Sequence, residues 1–204
     1  MDKEQAERAL AIVRGIVENT REDLAAHNWG LIWMLHAFTN SAAFAAVGVL
    51  IERQQRPVFY YLIPLGVVAV VNLMIVAALA DRDRGVRSVI EYQLHGIWVT
   101  FIIFTVAIAA ILYLAQVTPT LFGPLIAITS GIGFAMMGVL FASRFFILAI
   151  AFLLVGLIAP LPRVAPVTWY LIAAVWWVAS FVPGVIFNRE RKRRLRQDRR
   201  PQIL

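Results

Sequence analysis

The sequence predicts an all-α fold: a polytopic membrane helical bundle of six transmembrane helices in three antiparallel hairpins, preceded by an amphipathic cytoplasmic helix. Three observations carry this. Hydrophobic residues fill 61% of 204 positions and charged residues 15%, with a mean hydropathy of +0.77. That is more apolar surface than a soluble domain of this size hides in one core. The apolar residues gather into six runs, most of them near the roughly 20 residues that cross about 30 Å of hydrocarbon. Finally, the basic residues alternate between loops, as the positive-inside rule requires of a chain threaded back and forth.

Residues 1–26 form the first expected element. Ala6, Leu10, Val13, Val17, Thr20 and Leu24 follow the alternating spacing of an a/d seam, and Ala9, Ile12 and Ile16 widen it into an apolar face. Four bases and six acids give this segment a net charge of −2. An acidic polar face argues against a helix adsorbed on lipid headgroups. A helix docked on the cytoplasmic end of the bundle, or one pairing with itself or a partner protein, is the expectation. The segment has no apolar core or small-residue cleavage site of a secretory signal, so the first span is expected to direct insertion.

The bundle is expected over residues 27–187. Its spans run from about Trp29 to Ile51, Val58 to Ala80, Val89 to Ala115, Leu121 to Ala142, Phe145 to Ala159, and Val167 to Phe187. The fifth is short and is separated from the fourth only by Ser143 and Arg144. Charge arbitrates. Six spans with a cytoplasmic N-terminus place 16 Lys and Arg inside and 3 outside, whereas fusing spans four and five leaves 8 inside and 10 outside. The chain is therefore expected in the inner membrane with both termini cytoplasmic.

Residues 188–204 complete the chain as a basic tail of net charge +6. Arg189, Arg191, Lys192, Arg193, Arg194 and Arg196 stand where anionic lipid headgroups would hold them, each for about 1 kcal/mol near the surface. Nucleic acid is not an expected partner, because no recognition fold or interleaved aromatic residue accompanies the run. There is no cysteine, which excludes disulfides, thiolate metal sites and cysteine nucleophiles.

Polar residues inside the spans are the candidate functional residues, since each costs several kcal/mol in hydrocarbon unless it is partnered or reaches water. Counting along the spans sets His36, Asn72, His95 and Ser180 at one level, about 10 Å beneath the cytoplasmic face. Asn40 shares a helix face with His36, and Glu91 shares one with His95. Three readings compete. His36, Asn40, Asn72, His95 and Ser180 are interhelical hydrogen-bond partners that fix packing, or they line, with Glu91, a cytoplasm-facing cavity that binds a ligand or carries protons, or His36 and His95 ligate a haem or metal. No cofactor is predicted on the first two readings. In span four, Ala127, Gly131 and Ala135 on one stripe, with Gly138 and Ala142 on another, predict close helix approach.

No nucleotide-binding, metalloprotease or hydrolase motif occurs, and the Asp81–Arg84 loop lacks the further ligands a metal site needs. The sequence thus leads to a non-enzymatic sensor, accessory or scaffold subunit, oligomeric or partnered through residues 1–26. The alternative is a small transporter or channel subunit, proton-linked through Glu91 and His95.

Overall fold

The computed structural model describes residue 5 and residues 28–54, 58–79, 89–117, 119–140 and 142–198. The expected N-terminal helix and the Asp81–Arg84 loop lie outside the described residues. Six α-helices run in order: α1 (Trp29–Gln54), α2 (Leu62–Leu79), α3 (Val89–Leu114), α4 (Phe122–Leu140), α5 (Phe145–Ile158) and α6 (Thr168–Asp198). Short 3-10 turns, Val58–Tyr61, Pro119–Leu121 and Ala165–Val167, lead into α2, α4 and α6. All regular structure among the described residues is helical. Five helices are long and apolar enough to cross a membrane. The sixth, α5, has 14 residues and rises only about 21 Å.

The most extensive packing joins the first helix to the last and α4 to α5. Contacts descend α6 as they ascend α1: Gly30 lies against Gly184 and Asn188, Ser41 Oγ donates to the Ala173 carbonyl at 2.8 Å, and Gly48 meets Trp169. The two helices therefore run antiparallel. Gly30 and Gly184 let the backbones nearly touch. A methyl group at residue 30 would sit 2.5 Å from Asn188 N and 2.7 Å from Gly184 O. Lipid tails are as apolar as leucine, so close packing of this kind supplies the attraction that the hydrophobic effect supplies in water.

Helix α4 uses its small-residue stripe as its sequence predicts. Gly131 lies against the Ala149 carbonyl and Phe152, Gly138 against the Phe146 ring, and Gly156 of α5 against Ile128 and the Pro124 carbonyl. At the centre, Phe134 stacks on Phe152 at 5.2 Å, and Trp176 of α6 meets Phe134 edge-on at 5.5 Å. Trp98 of α3 joins them, 5.3 Å from Trp176. Offset and edge-to-face pairs of this kind are worth about 0.5 to 1.5 kcal/mol each beyond their burial.

At the periphery, helix α3 ends in a Schellman turn: Gln116 takes φ 53°, and Val117 N–H reaches back to the Leu112 carbonyl at 3.0 Å. Helix α2 has no buried residue. It packs along α1 and makes no extensive contact with α3, which leaves a seam between α2 and α3.

The Gly30 contact generates a test. Gly30→Ala is expected to cost about 1 to 3 kcal/mol by forcing the α1 and α6 backbones apart. Gly66→Ala, whose new methyl would meet nothing within 4 Å, should melt like the parent protein in detergent.

Candidate functional site

The seam between α2 and α3 opens into a cavity of about 360 Å³ walled by α1, α2 and α3, with Ile126 of α4 and Trp176 and Ser180 of α6 at its back. Its α1 wall runs from Trp29 to Phe44, about 22 Å at the helical rise. Lining residues run from Leu62 to Val76 on α2 and from Leu94 to Val106 on α3 as well, so the cavity is an elongated slot. The slot exists because α2 is held off α3: one end of α2 is set by the Val58–Tyr61 turn, which contacts α1 and α3, and its middle is pinned to α1.

The pin is a three-residue hydrogen-bonded clamp. The Thr39 hydroxyl donates to Asn72 Oδ1 at 2.6 Å, and Asn72 Nδ2 donates to Asn40 Oδ1 at 2.8 Å. Both ends of the Asn72 amide are thereby engaged by α1. An unsatisfied amide in hydrocarbon is costly, so the clamp favours one register of α2 on α1. Thr39 is absent from the residues singled out by sequence. A helical threonine normally satisfies its hydroxyl on its own preceding turn, and nothing in the pattern marks this one as different.

Five of the six sequence-predicted residues line the slot: His36, Asn40, Asn72, His95 and Ser180. Glu91 lies on α3 one turn before His95, and its side chain is outside the described residues. Asn40 and Asn72 are committed to the clamp. His36, His95 and Ser180 come from three different helices, α1, α3 and α6. Ser180 is one turn along α6 from Trp176, and Trp176 is level with Phe44, Trp98 and Phe101, against whose rings it packs at 5.7, 5.3 and 6.0 Å. Two of the lining residues carry a fully buried nitrogen with no hydrogen-bond partner, His36 Nε2 and Trp176 Nε1. Trp176 is only 3% exposed, and its indole N–H can only donate.

The predicted headgroup residues divide. Arg189, Lys192 and Arg193 are exposed on the last turns of α6. Arg191 is half-buried, and its Nη1 donates to Asn28 Oδ1, while Asn28 Nδ2 donates to the Leu79 carbonyl at 3.1 Å. Those bonds strap α6, the start of α1 and the end of α2 together. Arg194 and Arg196 lie in α6, with side chains outside the described residues. Helix α6 runs on unbroken past Asn188, so the basic tail begins as a continuation of the last span.

Chemically, the slot offers imidazole, hydroxyl and indole groups on aromatic and aliphatic walls, and none of its described lining residues is Asp, Glu, Lys or Arg. Among the described residues no three His, Asp or Glu gather as a metal site would require. The arrangement suits recognition of an uncharged molecule by hydrogen bonds. Replacing Asn72 by Leu is expected to lose both clamp bonds, at about 0.6 to 2 kcal/mol. Thr39→Val in that background should then add little to the loss in a double-mutant cycle read by thermal unfolding. The chain matches no family model, no curated protein and no solved structure.

Proposed function

We propose that this chain is a six-span protein of the inner membrane, with three helical hairpins and both termini in the cytoplasm, that binds a small, largely apolar molecule in the slot. On this reading it is a non-enzymatic sensor or accessory subunit that passes occupancy to a partner, or a second copy, engaged by residues 1–26. Arg189, Lys192 and Arg193 hold anionic headgroups at the cytoplasmic surface. The observation that supports binding is the convergence of His36, His95 and Ser180, from three separate helices, on one elongated void.

Transport of the same molecule is the second reading, and the open seam between α2 and α3 favours it, because a bound molecule there has a route to the lipid. Flux of a fluorescent apolar cargo across liposomes, abolished by His95→Ala, would support transport. Binding without flux supports the sensor.

Two measurements test the proposal. The chain contains no cysteine, so single cysteines report sidedness without background. Lys192→Cys is expected to resist a membrane-impermeant maleimide in intact cells, and Leu161→Cys, in the α5–α6 connection, to react. Native mass spectrometry from lipid nanodiscs is expected to find a retained small molecule that Gly66→Phe displaces, since Gly66 lines the slot and a side chain there has room to grow into it. Identical adducts on both proteins would defeat the binding reading.

A further inference from the structure

We infer that residues 18–27 of this chain dock lengthwise and antiparallel on the part of α6 that runs on past the bundle, so that the acidic end of the N-terminal segment covers the far half of the basic tail. This goes beyond the reading of the slot and does not depend on it. The starting point is one bond. Arg191 Nη1 donates to Asn28 Oδ1, so the chain reaches residue 28 already in contact with the α6 extension, which is helical to Asp198. Helices α1 and α6 run antiparallel up to that point, with Gly30 against Gly184 and Asn188. Residues 27 and below therefore leave from the same place as residues 192 and above.

Charge is distributed to suit this pairing. Residues 1–17 hold three acids and three bases, which cancel, whereas residues 18–27 hold Glu18, Glu22 and Asp23 against Arg21 alone. The whole net charge of −2 thus lies in the stretch nearest Arg191. Opposite it, residues 188–200 carry eight bases and two acids.

The Asn28–Arg191 bond also sets a register. Counting equal numbers of residues away from it along two antiparallel helices brings Leu24 level with Leu195, Asp23 with Arg196, Arg21 with Asp198, and Glu18 within one residue of Arg200. Leucine meets leucine, and each of three charged residues meets its opposite. A displacement of three or four residues either way sets Leu24 against Lys192, Arg191, Asp198 or Arg199 instead. Exposed ion pairs are individually weak, so the tether decides which acidic segment wins. Asp23 is five residues from Asn28, a reach of at most about 18 Å, and so short a link gives an effective concentration of about millimolar order. A second copy or a soluble partner has no such advantage. Arg189, Lys192 and Arg193, exposed on α6, come level with none of the segment's acids and stay available to headgroups, while residues 1–17 stay available to a partner.

The test uses the full-length protein in nanodiscs, where the lack of native cysteine removes background. Leu24→Cys with Leu195→Cys is expected to form a disulfide within one chain on mild oxidation. Val17→Cys with Leu195→Cys, about 10 Å out of register, is expected not to. Asp23→Arg should slow the 24–195 disulfide about twofold to fivefold, the range of one exposed ion pair, and adding Arg196→Asp should restore the rate, which chance collision of two loose segments would not do. Equal rates for the two cysteine pairs, or no rescue by the charge swap, overturns the docking. A disulfide found only between chains, seen as a dimer on a denaturing gel, gives the segment to a second copy and overturns it too. Loss of the disulfide when phosphatidylglycerol replaces phosphatidylcholine in the disc gives the whole tail to headgroups and has the same consequence.

Discussion

The contact on which the rest of the structure depends is the near-touching of the α1 and α6 backbones at Gly30 and Gly184. It ties the first helix to the last and so converts a row of spans into a closed bundle. Every wall of the slot is referred to it. Helix α1 carries the clamp residues that hold α2, and α6 carries Trp176 and Ser180, which back the void between them. In a bilayer, where leucine gains nothing by leaving lipid for leucine, such an approach is what distinguishes one helix pairing from another. The Arg191–Asn28–Leu79 strap reinforces it at the same end.

Much of the fold is legible in the sequence because it follows from lengths. Apolar runs of the right extent must be helices, since no other open structure satisfies its backbone in hydrocarbon, and the observed helices begin and end close to the expected ones except α6, which continues past the expected Phe187 to Asp198. The short fifth run is short in the structure too. The small-residue stripe of α4 also reads directly, because its spacing puts Gly131 and Gly138 where a neighbour must come close. Which helices pair is not legible: Gly30 and Gly184 are single glycines in unrelated spans, and only the assembled bundle brings them together.

The same division holds at the site. A common depth for His36, Asn72, His95 and Ser180 can be counted from span ends, and these residues do share one void. Rotation about each helix axis cannot be counted, and rotation decides roles. It gives Asn40 and Asn72 to each other and Thr39 to Asn72, while His36, His95 and Trp176 line the cavity from three helices. The aromatic lining is likewise ambiguous in sequence, since Trp176 and Trp177 are adjacent. One packs in the centre of the bundle, and the other stacks on Phe181 at 4.6 Å.

The union of the outermost helices also sets a timetable for biogenesis. Gly184 is synthesised long after Gly30 has reached the membrane, and at about 5 to 20 residues per second the wait is roughly 8 to 30 s. During that interval α1 must remain in the bilayer without its principal neighbour, exposing Ser41 and the glycine faces to whatever else is nearby. The α1–α2 hairpin can form as its spans emerge, whereas the bundle closes only when α6 arrives, and an insertase or chaperone able to shield the uncovered face of α1 would have its window then.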